Sequence, residues 1–434
     1  MDFSKTADDR DAGRRSPGAK AITAATVGNL LEIYDFISYA MFAVPISTAF
    51  FPAGNDNVSL LLTFVTFGMG FLARPLGALV IGGYADRHGR KGAFSITILV
   101  MALGTAVIAF CPTYHSIGIA APILVTVGRI LQGFSAGAEV GGAVAILIEN
   151  APPSRRGFYA ALQQLSQGSA VMATGLVGVA MTALFTQDEI MAGAWRIVFM
   201  IGLLIAPVGV YVRLRIEETP EFLNLSRRPG QDRLTVSVLL GHSYPILIGI
   251  LIMILWTVAT YVSNYFTTYS VREVHLSLQQ SYIGQIAYGV VMLVVCPLAG
   301  RLSDAVGRVR CLLLGAVGIG VVAYPTVRFL ILHPGLGSLC LAQGIIALFL
   351  ALYASTASTV LGELFPTSVR ATGVSLAYSF GVTIFGGFTP AIVTALLGAT
   401  GDKLVIAYYL IAAAVISAIP ILLTGRWRKG AVQV

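Results

Sequence analysis

Long apolar stretches recur along the whole chain, separated by short polar runs rich in Lys and Arg. A helix needs about 20 apolar residues to cross a hydrocarbon core of about 30 Å. Only helices and closed barrels satisfy their backbone polar groups in that environment. Stretches of sufficient length lie at 21–49, 57–84, 94–112, 117–148, 158–185, 195–213, 242–270, 279–300, 310–331, 338–362, 371–397 and 404–424. The pattern therefore predicts an all-α membrane protein with twelve spanning helices. The run from Ala21 to Phe50 is too long for a signal-peptide core, and no small-residue cleavage pattern follows it, so it reads as a first span kept in the mature protein.

The polar segments divide the chain. A tail (1–20) precedes a six-helix bundle (21–213). A charged connector (214–241), with Glu217, Glu218, Glu221, Arg227, Arg228, Asp232 and Arg233, leads to a second bundle (242–424) and a short tail (425–434). Basic residues orient the whole. With both termini in the cytoplasm, 22 of the 28 Lys and Arg fall in inner segments and only Arg272 and Lys403 in outer loops. That asymmetry is a strong positive-inside signal, and it makes the net charge of +8 a matter of topology rather than of nucleic-acid binding.

Composition agrees. Of 434 residues 56% are hydrophobic and 11% charged, against about 25% charged in soluble domains. The cysteines Cys111, Cys296, Cys311 and Cys340 form no CxxC pair and read as small buried hydrophobes. None of His88, His115, His242, His275 and His333 has metal-ligand spacing. There is no GxSxG, Walker A or HExxH pattern. The expectation is a chain that is not an enzyme or a primary pump and carries no metal or cofactor.

Two loops repeat. GGYADRHGRKGA (82–93) and AGRLSDAVGRVR (299–310) each join two spans; Asp86, Gly89 and Arg90 align with Asp304, Gly307 and Arg308 at one offset of 218. Glu149 and Arg156 likewise align with Glu363 and Arg370. Parallel repeats of this kind place a solute site near the midplane, between two halves that rock. Glycine allows a tight turn there, and Asp and Arg can pair with each other and with helix ends. Asp86, Arg90, Asp304, Arg308, Glu363 and Arg370 are therefore candidate gate residues, with a topology anchor as the alternative.

GGYADRHGRK resembles the loop signature of the major facilitator superfamily. RPLG (Arg74 to Gly77), GNLLEIYDF (Gly28 to Phe36), GRILQGFSAGAEVGG (Gly128 to Gly142) and ELFPTSVRATG (Glu363 to Gly373) resemble its metabolite:proton symporter branch. Ile33 stands where that branch commonly has Trp. Within the branch, 59–92, 128–137 and 375–403 look most like the bacterial citrate–proton and tricarballylate symporters. The resemblance implies two pseudo-symmetric six-helix bundles and proton-driven import of a small carboxylate. Citrate or a related tricarboxylate comes first, 2-oxoglutarate or another dicarboxylate next, then proline or betaine. It also implies a bacterial inner-membrane protein, functional as a monomer, with the proton as coupling ion.

Charges inside the spans give the candidate site, because each costs about 2.5–3.5 kcal/mol in hydrocarbon unless it has a partner or a task. Glu32 and Asp35 lie three residues apart on one helical face, and two close carboxylates in low dielectric cannot both ionise cheaply. They and Glu139, set among small residues that permit close helix contact, are the proton-coupling candidates; ion pairing or packing is the alternative for each. Arg129, within the family's RxxxG pattern on the fourth span, and Arg74, about 18 Å deeper than Asp86, are the anion-binding candidates; Arg129 could instead help protons leave, and Arg74 could instead be an interhelical strut to Asp35 or a carbonyl. Neutral candidates complete the binding set: Asn29 and Tyr34 on the first span, Gln163 and Gln167 on the fifth, Tyr261, Asn264 and Tyr265 along one face of the seventh, Tyr353 on the tenth and Tyr378 on the eleventh. Each is alternatively an interhelical contact.

Overall fold

The computed structural model describes residues 16–88, 90–137, 143–144, 147–148, 151–214, 241, 243–366 and 370–427. All regular structure among them is helical. In the first half these are α1 (Ser16–Met41), α2 (Ala43–Phe50), α3 (Asp56–Leu72), α4 (Arg74–His88), α5 (Arg90–Phe110), α6 (Ala120–Ala136), α7 (Arg156–Leu184) and α8 (Arg196–Leu214). In the second half they are α9 (Ser243–Arg272), α10 (Leu278–Val306), α11 (Arg308–Leu332), α12 (Leu336–Leu364), α13 (Arg370–Gly381), α14 (Thr389–Thr400) and α15 (Val405–Trp427). Long helices with apolar faces turned outward, such as Leu99, Leu204 and Val321, are what a bilayer-embedded bundle requires.

The first expected span is broken in two, and the second and eleventh carry local interruptions. α1 and α2 meet at a bend of 69°. Pro45 explains it: a proline has no N–H for the carbonyl four residues back, here Met41, and its ring clashes with that carbonyl. Pro75 interrupts the second span locally between α3 and α4 without dividing it, and the Phe71 carbonyl, deprived of its helical donor, accepts from the Thr383 hydroxyl of the opposite half at 2.7 Å. The GGFTP run interrupts the eleventh span through a π-turn at Val382–Gly386, with Pro390 in the first turn of α14.

Small residues set how closely the helices meet. α6 lies against α3 and α4 so tightly that a Cβ on Gly137 would overlap the Arg74 carbonyl. This contact carries Arg129 and Arg74 into one neighbourhood. Between the halves, α7 packs along α10. A Cβ on Gly289 would lie 2.6 Å from the Met172 Cβ, so no larger residue fits without moving the seam.

Candidate functional site

The two halves face each other across a layer of aromatic rings. Phe67 and Phe71 of α3 meet Tyr261 of α9 at 5.9 and 5.3 Å between centroids, and Phe64 meets Tyr265 at 5.3 Å. Beside them lies a cavity of ≈ 20 Å³ lined by Phe36, Phe67, Gln167, Trp256, Tyr261, Asn264 and Tyr378. That is room for about one water molecule. A metabolite with several carboxylates needs the halves to part before it can enter.

Arg74 and Arg129 are the largest charged groups in this region, 1% and 0% exposed. Arg129 feels the Asp35 carboxylate through its charge but makes no direct ion pair with it. The Arg129 guanidinium lies 4.5, 4.7 and 4.8 Å from the ring centroids of Phe36, Tyr39 and Phe67. Arg74 lies 4.6 and 4.5 Å from Phe36 and Phe71. Ring faces attract cations, most strongly where water is excluded, so the aromatic layer holds both charges without neutralising them. The donors stay open. Nε, NH1 and NH2 of Arg74 and Nε and NH2 of Arg129 have no hydrogen-bond partner, and the Tyr378 hydroxyl stands beside Arg74 short of hydrogen-bond geometry. An alternative in which Arg74 is a strut to Asp35 or to a carbonyl does not match these contacts.

The remaining Arg129 nitrogen, NH1, donates to Gln132 Oε1 at 2.7 Å; Gln132 Nε2 donates to Thr105 Oγ1 at 2.9 Å; Thr105 Oγ1 donates to Asp35 Oδ2 at 2.7 Å. Asp35 Oδ1 has no partner and packs against Gly202 of α8. Glu32, one turn before Phe36, is 4% exposed in the same region. Sequence reasoning missed Thr105 and Gln132. The (i, i+3) spacing of Gln132 from Arg129 was a usable signal; a lone Thr in an apolar run gave none.

The structure sorts the other candidates. Gln167, Tyr261, Asn264 and Tyr378 line the cavity. Gln163 and Gln164 reach across the halves to Ser358 at 3.3 and 3.2 Å. Asn29 donates to Ser166 at 2.6 Å. The hydroxyls of Tyr34 and Tyr353 donate to the carbonyls of Val198 and Ile252, and that of Tyr265 accepts from Thr394, so these three are held in helix packing. Glu139 and the side chains of Asp86 and Arg90 lie outside the described residues.

At the end of the bundle that carries the repeated loops, Arg308 donates to Asp304 at 2.7 Å and to Glu363 at 3.1 Å. The Asp304 carboxylate also accepts the backbone N–H groups of Gly157 and Phe158, at 2.9 and 3.1 Å, at the start of α7 in the other half. A carboxylate suits that position, since a helix N-terminus presents open N–H groups and a partial positive charge. Arg370 donates to the Gly362 carbonyl within the second half. At the opposite end, Arg272 bridges the halves to Asp56 at 3.2 Å and Asn57 at 2.9 Å.

The model of the family described as Sugar (and other) transporter matches residues 20–241 and 232–425, nearly the whole of both bundles. The chain belongs to this family. Among relatives of this transporter, the citrate-proton symporter of Salmonella typhi is 38% identical over 397 residues, covering 91% of each chain. That of Klebsiella pneumoniae is 37% identical over 396 residues, covering 91% of this chain and 89% of the other. A glycine betaine/proline/ectoine/pipecolic acid transporter of Dickeya dadantii is 32% identical over 423 residues, covering 94% and 83%. Among solved structures, the proton:xylose symporter XylE of the major facilitator superfamily superposes with a TM-score of 0.79 at 16% identity, over 95% of this chain and 96% of that one. The shared fold is that of the major facilitator superfamily, two six-helix bundles, and the family is one of transporters rather than enzymes.

Proposed function

We propose that this transporter is a proton-coupled symporter that imports a small carboxylate across the bacterial inner membrane, with citrate or a related tricarboxylate as first choice. One observation carries the reading: two buried arginines, set against the same Phe36 ring, keep five guanidinium nitrogens without partners. A guanidinium fork matches a carboxylate in shape and charge. Two forks call for a substrate with at least two carboxylates. The citrate-proton symporters among the relatives are consistent with this.

A dicarboxylate such as 2-oxoglutarate satisfies both forks as well. A second reading, a proline or betaine carrier, draws support from the aromatic lining and from the relative in Dickeya dadantii. Against it, the ring faces of Phe36, Phe67 and Phe71 are already taken by arginines, and a ligand cation would meet two like charges.

In this reading the halves open to the outside, a proton loads on Asp35, Glu32 or Glu139, and the anion meets Arg129 and Arg74. Neutralisation lowers the cost of closing the site away from water. The halves then rock, Asp304 leaves the start of α7, and both ligands leave to the cytoplasm. The termini lie on that side, and one chain contains a complete site. Uptake of labelled citrate, 2-oxoglutarate and proline into proteoliposomes under an imposed pH gradient tests the proposal. Gradient-driven citrate uptake supports it; uptake of proline but of no polycarboxylate overturns it.

A further inference from the structure

We propose that Thr105 and Gln132 are the coupling element of the transporter: they carry the protonation state of Asp35 to the anion-binding arginine, Arg129. The inference rests on the reading above, that a proton and a carboxylate travel together.

The geometry that suggests it is directional. Asp35 and Arg129 make no direct ion pair, although both are buried among the described residues. Two neutral side chains, 1% exposed or less, stand between them: Gln132 at 0% and Thr105 at 0%. Each has one donor aimed toward Asp35 and one acceptor facing Arg129. The chain therefore runs one way, from a cation that only donates, through an amide and a hydroxyl, to a carboxylate that only accepts. No hydrogen bond in it can reverse while Asp35 is ionised.

Protonation changes this without passing a proton along the chain. Oδ1, which has no partner and faces Gly202, is open to take the proton from water that enters when the halves part. Oδ2 then accepts from Thr105 as part of a neutral acid. Bonds to a charged acceptor are about twice as strong as neutral ones. The Thr105 bond weakens, and Gln132 is held less firmly against Arg129. The NH1 group of Arg129 becomes available to the substrate, and the negative charge that offset the guanidinium is gone. Anion affinity thus rises when the proton is aboard, which is the linkage a symporter needs.

The groups recorded against Asp35 come from neighbouring helices and from its own. α5 contributes Thr105, α6 contributes Arg129 and Gln132, and α8 contributes Gly202. On its own helix Glu32 lies three residues before it, 4% exposed, and Tyr34 adjoins it, with a hydroxyl committed to the Val198 carbonyl. Arg74 of α4 acts on Arg129 through its charge. Arg129 is thus the charged group on a neighbouring helix that the chain connects to Asp35.

The test compares two readouts in proteoliposomes. Accumulation of labelled citrate under a pH gradient needs coupling; citrate counterflow at equal pH on both sides needs only binding and rocking. For Thr105→Val the ratio of accumulation to counterflow is expected to fall about 10-fold, the size of one lost charge-assisted bond. Thr105→Ser restores the hydroxyl and the ratio. Gln132→Leu breaks the next link and lowers the ratio by a similar factor, which covers the case in which Thr105→Val fails to fold. The double variant is no worse than either single one, because one chain is cut twice. A wild-type ratio in both single variants overturns the proposal, as do equal losses in both readouts or additive losses in the double variant. Wild type that transports no carboxylate overturns the symporter reading and the coupling element with it. Gradient-driven wild-type uptake together with unaffected variants overturns the coupling element alone.

Discussion

The two halves share a scaffold and differ at its centre. The loop motif is duplicated, and each half presents a polar helix face to the midline. Yet among the described residues Glu32, Asp35, Arg74 and Arg129, the buried carboxylates and guanidinium groups of this region, all belong to the first half. The second half answers with neutral groups: Trp256, Tyr261, Asn264 and Tyr378 at the cavity, and Gln285 and Gln343 donating to the Ser263 carbonyl behind it. Buried charge is costly and needs several supporting partners. Concentrating it in one half means that only one support network must be maintained. Under the proposed function, the first half holds proton and anion, and the second half closes over them with rings and amides.

This contrast can be broken at its strongest point first. Arg129→Ala removes the fork with the densest support, and citrate uptake in proteoliposomes is expected to fall by about 100-fold or more. Arg129→Lys should not restore it, because an ammonium has no planar fork. Arg74→Ala is expected to raise KM for di- and tricarboxylates by about 10- to 100-fold, while changing KM for a monocarboxylate by much less. Equal effects on both classes would remove the argument for one carboxylate per arginine.

Next come the contacts between the halves. Asp304→Ala removes one acceptor for Arg308 and two for the start of α7. Labelling of a cysteine introduced into the α7–α10 seam should speed up by about 10-fold as that end opens more often, in line with one to two lost charge-assisted bonds. Arg272→Ala at the other end should matter least. Its Asp56 partner is 80% exposed, and such pairs contribute about 0–1 kcal/mol, so initial uptake rates should change less than about 5-fold.

Much of the fold was legible in the sequence because bilayer crossing imposes length and polarity directly. The second half shows it well: 310–331 and 338–362 were expected, and Arg308–Leu332 and Leu336–Leu364 are observed. The GGFTP run, Gly386 to Pro390, marks the interruption of the eleventh span in the sequence; those at Pro45 and Pro75 were not located in advance, because a proline in a long apolar run is as compatible with a continuous kinked span. The site was legible in part. A buried Arg or Asp in a span is conspicuous from its cost alone, and the structure places Arg74, Arg129, Glu32 and Asp35 in one region. Tyrosines were harder. Tyr261 and Tyr353 look alike in sequence, and only packing shows that one lines the cavity while the other is held by the Ile252 carbonyl. Thr105 was invisible for a related reason: a threonine in a helix usually bonds its own backbone, and its contact with Asp35 spans 70 residues.

Under the proposed function the paired arginines are the anion receptor. Isothermal titration of the purified, detergent-solubilised protein with citrate measures this without transport or a gradient. Saturable binding to wild type is expected, with its loss in Arg129→Ala at unchanged helix content by circular dichroism. Citrate binding to Arg129→Ala at wild-type affinity would contradict it.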